Sequence, residues 1–246
     1  MAAAKNSPKS KPRPRNKRQA SEQDERGGGR RQQIIEASTR LFAEQGFEAT
    51  TVRQIADEVQ ILSGSLYYYY TTKEEIVHDI IRDVIAELRD NVIRISGYDG
   101  DAEIKLSAMV LYTLDLLNKK RDVFSILYKE ENLFLRREEF SYTVEVKNDV
   151  YAAWTSILED GMKNGLFDSQ TDVYLTIMTV VRALNAATDW YRAGTAIGVN
   201  YTLEQLTDFY LKFVLHAVRD RERVGEPVPR EAAERLACGD QTEAAT

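Results

Sequence analysis

Thr51, Arg53, Ser63, Ser65, Tyr67, Tyr68 and Lys73 fall within 23 residues of one another and bring together hydroxyls, two cations and two phenol rings. Small residues beside tyrosines let a backbone come close to phosphates and base edges. A tyrosine adds a hydroxyl donor for phosphate and an apolar ring for a thymine methyl. That chemistry reads DNA, with Arg53 and Tyr67 expected on bases and the other five mainly on phosphates. Catalysis is poorly supplied by comparison. His78 and His216 are far apart, Cys238 is the single cysteine, and no phosphate loop, nucleophile elbow or metal-ligand spacing occurs. No catalytic residue, metal or cofactor is assigned, and His78, on the polar side of its segment, reads as solvated.

A second set of residues could hold a small molecule. Tyr112, Tyr128, Phe134, Tyr142, Trp154, Tyr174, Met178, Arg182, Asn185 and Trp190 are mostly large and carry polar handles among apolar neighbours. An apolar cavity with a few polar anchors is how small ligands are bound, although an aromatic at helical spacing also serves as plain core. Arg182 and Asn185 lie at i and i+3 among Ile177, Met178, Val181 and Leu184, so they can share an inward face. An inward charge needs an anion or an internal partner.

The elements that position these residues are helices throughout. Thr51 and Gln54 form a capping box, so a helix begins at Thr51, with Val52, Ile55, Ala56 and Val59 on one apolar face. Gln60 to Leu62 make a tight turn, and Ser63 is placed to cap a second short helix, Gly64 to Tyr70. Thr72 with Glu75 makes another capping box ahead of a long amphipathic helix from Lys73 to Arg94, closed by Gly97 to Gly100. A bracing helix precedes them from Arg30 to Gln45, with Gly46 as its stop. Beyond Asp101, helices are expected at 101–118, 122–132, 137–164, 172–191 and 202–221, with a loop at 192–200. Two apolar sets, Val173, Ile177, Val180, Val181 and Leu184, then Leu203, Leu206, Tyr210, Phe213, Val214 and Ala217, could pair with a symmetry mate in a four-helix interface.

The segments GFEATTVRQIADEV (46–59), GSLYYYY (64–70) and TTKEEIV (71–77) resemble the DNA-binding end of the TetR family of bacterial repressors, a likeness that spans Ile34 to Ile81. The resemblance implies an all-α fold: a three-helix helix-turn-helix DNA-binding domain followed by a helical ligand-binding and dimerisation domain. The family often has Gly in the turn and Ser-Lys opening the recognition helix. Here Gln60, Leu62, Ser63 and four successive tyrosines stand instead, so base preference does not transfer. ILSGSLY at 61–67, FSY at 140–142, the spacing to Trp154 and WYR at 190–192 resemble a narrower group, repressors of steroid-ring catabolism that respond to acyl-coenzyme A intermediates.

Composition sets the frame. The 246 residues are 43% hydrophobic and 29% charged, enough for a sizeable core. The net charge of −6 is unevenly spread: residues 1–31 carry ten Lys and Arg against three acids, a local +7 that leaves −13 for the rest. Residues 1–29 read as a disordered basic arm, either an extension along DNA or a solubilising tail. The reader occupies 30–75, the body 76–221, and 222–246 a disordered tail with a turn near 231–236. One unpaired cysteine, no apolar run of roughly 18 to 20 residues and no apolar leader at Met1 give a cytoplasmic expectation with no membrane partner. The expected molecule is a homodimer on a double-stranded, palindromic operator, released by a small-molecule effector such as an acyl-coenzyme A. An architectural DNA binder without effector and a helical-bundle enzyme are the rival readings.

Overall fold

The computed structural model describes residues 17–191 and 201–239, with side chains from Gly29 onward apart from 188 and 189. Eleven α-helices and two 3-10 turns occur among the described residues, joined by turns and loops, and no strand occurs among them; Phe167 and Arg219 form one isolated bridge. Residues 1–16 of the expected arm, the expected loop at 192–200 and the end of the expected tail, 240–246, lie outside the described residues.

Helices α1 (Lys17–Gln45), α2 (Val52–Glu58) and α3 (Ser63–Leu66) form the first layer. The helix α1 starts 13 residues earlier than Arg30 and runs through Gly27, Gly28 and Gly29. Each of those glycines costs about 1 kcal/mol in a helix. Propagation from an already packed turn still adds one hydrogen bond per residue, whereas nucleation is the expensive step. The packed turns begin at Ile34, which is fully buried with Phe42 and Phe47.

Helix α4 (Lys73–Ser96) belongs to two cores. Its first half places Ile76, Val77, Ile80 and Ile81 against Ile55, Leu66 and Tyr70 of the reader and against Ile126, Phe134 and Phe140. Its far end places Val92 and Ile95 in the core of the body. The body is completed by α5 (Ala102–Lys119), α6 (Arg121–Lys129), α7 (Glu131–Arg136), α8 (Ser141–Lys163), α9 (Val173–Trp190), α10 (Leu203–Val218) and α11 (Arg230–Cys238).

Four departures from the sequence reading have physical causes. The helix expected at 122–132 is two helices, because Glu130 leaves the helical region at φ −102 and ψ 22 while its carboxylate accepts the Phe47 N–H at 2.8 Å. The helix expected from Arg137 begins at Ser141. Arg137 is extended and ion-paired to Glu74 at 2.5 Å, and a 3-10 turn, Glu138–Phe140, intervenes. The expected tail contains α11, whose Ala233 and Leu236 are buried against α5 and whose end Arg94 holds by donating to the Leu236 and Ala237 carbonyls at 2.7 and 3.3 Å. The faces assigned to a symmetry mate are largely internal: Ile177, Val180, Leu184, Leu206, Tyr210 and Val214 are buried within the chain.

A buried ion pair joins the chain's last third to α5. Arg219 donates to both oxygens of Glu103 at 3.1 and 2.9 Å and to the carbonyls of Glu226 and Pro227 at 2.6 and 3.0 Å. Both side chains are almost inaccessible, so four charge-assisted bonds offset their desolvation.

Candidate nucleic-acid interface and effector cavity

The reader is held rigid from beneath. Thr51 Oγ1 accepts from the Gln54 N–H at 3.2 Å and the Gln54 amide oxygen accepts from the Thr51 N–H at 2.8 Å, which completes the expected capping box. At the second box only half forms: Thr72 accepts from Glu75 N–H at 3.2 Å, but the Glu75 carboxylate takes the Thr71 N–H at 2.7 Å. Gln60 stands at φ 55, the left-handed conformation in which a side chain costs roughly 1–2 kcal/mol. The turn is nevertheless made, closed by the Ile61 N–H on Ala56 O at 2.9 Å.

Helix α3 is shorter than its sequence suggests. It ends at Leu66, and Tyr67 to Tyr69 continue as turns. Leu62, not Ser63, is the N-cap, with no side-chain cap bond, so Ser63 opens the helix instead of capping it. Leu66 is buried and fixes the register, while Tyr67 and Tyr68 stand 56% and 87% exposed. Thr51, Arg53 and Ser65 are exposed and Ser63 half-buried. Arg53 meets Asp57 at 3.7 Å between exposed groups, a contact worth little in water. Leu62, unassigned by the sequence reading, is 80% exposed on the same short segment and offers an apolar surface. Its signal was an apolar residue in a turn, where nothing in the helix pattern buries it.

Lys73 has a different place from the one expected. Its ammonium donates to the carbonyls of Phe47 and Thr50 at 2.8 Å each and lies 4.3 Å from the Phe47 ring centroid. Two of its three protons close the α1–α2 loop against α4, which makes it a brace of the reader before a phosphate ligand. Tyr70, the last of the four tyrosines, is likewise internal. Its hydroxyl donates to Asp79 at 2.9 Å and accepts from Arg31 Nε at 3.1 Å, while Arg31 Nη2 reaches Asp79 at 2.5 Å. Burial and then the Asp79 carboxylate push the Tyr70 phenol up to about 12. Burial raises the Asp79 carboxyl, but the bonds from Arg31 and Tyr70 together outweigh it and hold it below the usual range. This triad ties α1, the end of the recognition segment and α4 together.

The body contains a cavity of about 190 Å³ bounded by α4 to α9. Tyr128, Phe134, Trp154, Arg182 and Asn185 of the expected ligand set line it, with Leu88, Leu117, Phe124, Val150, Tyr151 and Val181 among the apolar neighbours. The other five do not line it. Tyr112 is turned toward α4, its hydroxyl on Glu87 O at 3.1 Å, and burial pushes its phenol up. Tyr142 lies against His78, ring centroids 5.3 Å apart, with its hydroxyl buried and unpartnered among the described residues; burial pushes it up to about 12. His78 is accordingly half-buried, not merely solvated. Met178 is half-buried outside the cavity, and Tyr174 and Trp190 face outward, 69% and 46% exposed. A helical period alone does not say which face of α9 is inward when both faces are apolar.

Sequence reasoning missed Thr113, Glu131 and Lys147. Thr113 brings to the cavity wall a buried hydroxyl without a hydrogen-bond partner among the described residues. Lys147, Tyr151 and Trp154 share one face of α8 at i, i+4 and i+7, a pattern visible in the sequence. Lys147 Nζ donates to Glu131 Oε1 at 2.6 Å, Arg182 Nη2 stands 3.6 Å from Glu131 Oε2, and the Arg182 guanidinium lies 5.7 Å from the Tyr128 ring centroid. The hydrogen bond from Lys147, opposed by burial and aided by Arg182, holds the Glu131 carboxyl below the usual carboxylate range. The cavity is therefore apolar inside, with two cations and one anion at its wall.

Outside the cavity, Phe209 and Phe213 of α10 stack with ring centroids 6.0 Å apart and are 61% and 43% exposed. No helix of the described residues is long and apolar enough to cross a membrane.

Comparison with known proteins agrees with this geometry. Residues 34–80 match the family model for bacterial regulatory proteins of the tetR family, and residues 99–218 match that for a tetracyclin repressor-like C-terminal domain. The chain is 33% identical over 187 residues to the HTH-type transcriptional repressor KstR2 of Rhodococcus jostii (strain RHA1), an alignment covering 76% of this chain and 90% of that protein. The structure of the ketosteroid transcriptional regulator KstR2 of Mycobacterium tuberculosis superposes with a TM-score of 0.72 at 28% identity, over 78% of this chain and 96% of that one. AibR in complex with isovaleryl coenzyme A and operator DNA shares the fold at a TM-score of 0.64 and 17% identity, over 75% of this chain and 97% of that one.

Proposed function

Because the chain belongs to the tetR family of bacterial regulatory proteins and so regulates transcription by binding DNA, we propose that it represses from a palindromic operator until an effector occupies its cavity. The single observation that carries this reading is α4: one helix lies in the core of the exposed reader and in the core of the body that holds the cavity. An effector preferring one arrangement of the body can thereby shift the orientation of the reader.

On the DNA side, Arg53 and Tyr67 contact bases, and Thr51, Ser63, Ser65 and Tyr68 position the phosphates; Leu62 supplies an apolar contact. Lys73 supports this face through the loop it closes. On the effector side, Tyr128, Trp154, Arg182 and Asn185 surround the ligand. The cavity's apolar walls and cationic rim suit a coenzyme A thioester of a bulky apolar acid. The KstR2 likeness supports a ring-bearing acyl group, and AibR is an instance of the same fold holding a coenzyme A thioester and operator DNA together. Two copies act as a homodimer in the cytoplasm, since a two-fold pair of readers matches a palindrome with fixed half-site spacing.

The test is binding of the purified protein to its own upstream DNA against scrambled DNA, across salt, with and without a panel of acyl-coenzyme A thioesters. Specific binding lost on addition of one thioester is the expected result. Equal affinity for scrambled DNA, falling steeply with salt, would leave only phosphate contacts and favour the architectural reading.

A further inference from the structure

The cavity and the reader meet at three consecutive residues. Lys129, the last of α6, donates from Nζ to the Ala43 carbonyl near the end of α1 at 2.8 Å. Glu130, in the break between helices, accepts the Phe47 N–H at 2.8 Å, beside Gly46 at φ 88. A Cβ on Gly46 would stand 3.3 Å from that same Glu130 oxygen, so the loop and the carboxylate are closely fitted. Glu131, the first residue of α7, instead faces the cavity, bonded to Lys147 at 2.6 Å and 3.6 Å from Arg182. Two cations share one carboxylate, and the excess positive charge at the cavity wall invites a second anion that would compete with Glu131 for the same donors.

Building on the effector reading above, we propose that an anionic group of the effector, carboxylate or phosphate, takes the place of Glu131 on Lys147 and Arg182. Released, Glu131 lets the α6–α7 break move, and the grip of Lys129 and Glu130 on the end of α1 and on the Phe47 amide slackens. The effector is therefore an amphipathic anion. A neutral molecule of the same apolar shape fills the cavity without exchanging with Glu131, and without a difference between the two states it shifts nothing.

The experiment measures affinity of the full-length protein for its own upstream DNA. Without ligand, Glu131→Gln should weaken operator binding by about 10-fold, Lys147→Gln should act in the same direction, and Glu130→Ala, which removes the acceptor of the Phe47 N–H, should match it. The Glu130→Ala/Glu131→Gln double variant should bind no more weakly than Glu130→Ala alone, because both act through one break. Operator affinity of Glu131→Gln within about twofold of wild type, or effects that multiply in the double variant, overturns the proposal. Each variant's thermal unfolding controls for loss of fold, and the partial exposure of the substituted side chains keeps that risk small.

The ligand arms use octanoyl-coenzyme A, octanoate and the uncharged S-octanoyl-N-acetylcysteamine. Release of wild-type protein by the first alone assigns the phosphates, release by octanoate alone assigns the carboxylate, and release by both shows that either anion exchanges with Glu131. Release by the uncharged thioester at equal concentration overturns the exchange. A wild type that responds while Glu131→Gln responds equally defeats this inference and leaves the regulator reading intact. A wild type that does not distinguish its operator from scrambled DNA defeats both, and where none of the three probes releases it, the ligand-free cycle decides.

Discussion

Tyr67 and Tyr70 show how one residue type serves two ends within four positions. Tyr67 is open to solvent, and Tyr70 is locked between Arg31 and Asp79. Replacing Arg53 by Ala should lower specific operator affinity by about 1–3 kcal/mol and relax preference at one base pair, as expected for loss of a base contact. Tyr68→Phe, at a position proposed to meet a phosphate, should weaken binding similarly on all sequences. Competition binding with single-base operator variants separates the two, and an Arg53→Ala protein that keeps full discrimination removes that residue from the base-reading set. The Arg31–Tyr70–Asp79 triad predicts a pH signature. Asp79 has a lowered folded pKa, so its contribution to stability is complete above the ordinary carboxylate value and is lost as pH falls through the folded one. Tyr70 has a raised one, so its share is complete below about 10 and is lost as pH rises toward about 12. The unfolding free-energy gap between wild type and Asp79→Asn should stay flat from about pH 5 to 9 and close below about pH 4. A gap unchanged at low pH would mean that the triad is not charged as described.

At the scale of elements, the sequence made the α2 cap, the long α4 and the lengths of α5 and α9 legible, because capping pairs and apolar spacing are local signals. The break at Glu130 and the turn before Ser141 were not legible, since each depends on a partner far along the chain, Phe47 and Glu74 respectively. The cavity was half legible for the same reason: residue types are local, but which of two apolar faces turns inward is decided by the neighbouring helix. Gly161 gives an element-level test. A Cβ there would lie 2.0 Å from the fully buried Phe167 ring, which has nowhere to move. In an open helix Gly→Ala would stabilise by about 1 kcal/mol. Here Gly161→Ala should instead destabilise by about 1–3 kcal/mol through overpacking. Urea unfolding reads the sign directly, and a stabilised variant would show that Phe167 can leave α8 at little cost.

At the scale of the molecule, α11 and the Arg219–Glu103 pair fasten the last third of the chain to α5. Removing one partner strands the other, so Glu103→Gln should cost about 3–5 kcal/mol of stability, seen as an earlier denaturant midpoint; an unshifted midpoint would place water at Arg219. The same closure decides which surface remains for a second copy. The faces of α9 and α10 first expected to meet a mate are occupied within the chain, and what remains outside is the stacked Phe209–Phe213 pair with Tyr174, Leu175 and Trp190. Exposed apolar side chains on α9 and α10, in a chain proposed above to read a palindrome, favour a two-fold partner there. Phe209→Glu with Phe213→Glu puts like charges on both sides of such an interface and buries none in the monomer's own core. The variant should keep its thermal unfolding midpoint at low protein concentration, sediment as a monomer, and lose about 100-fold in affinity for a full operator while its affinity for an isolated half-site is unchanged. A variant that remains a dimer and binds the full operator normally would move the interface to another face of the body.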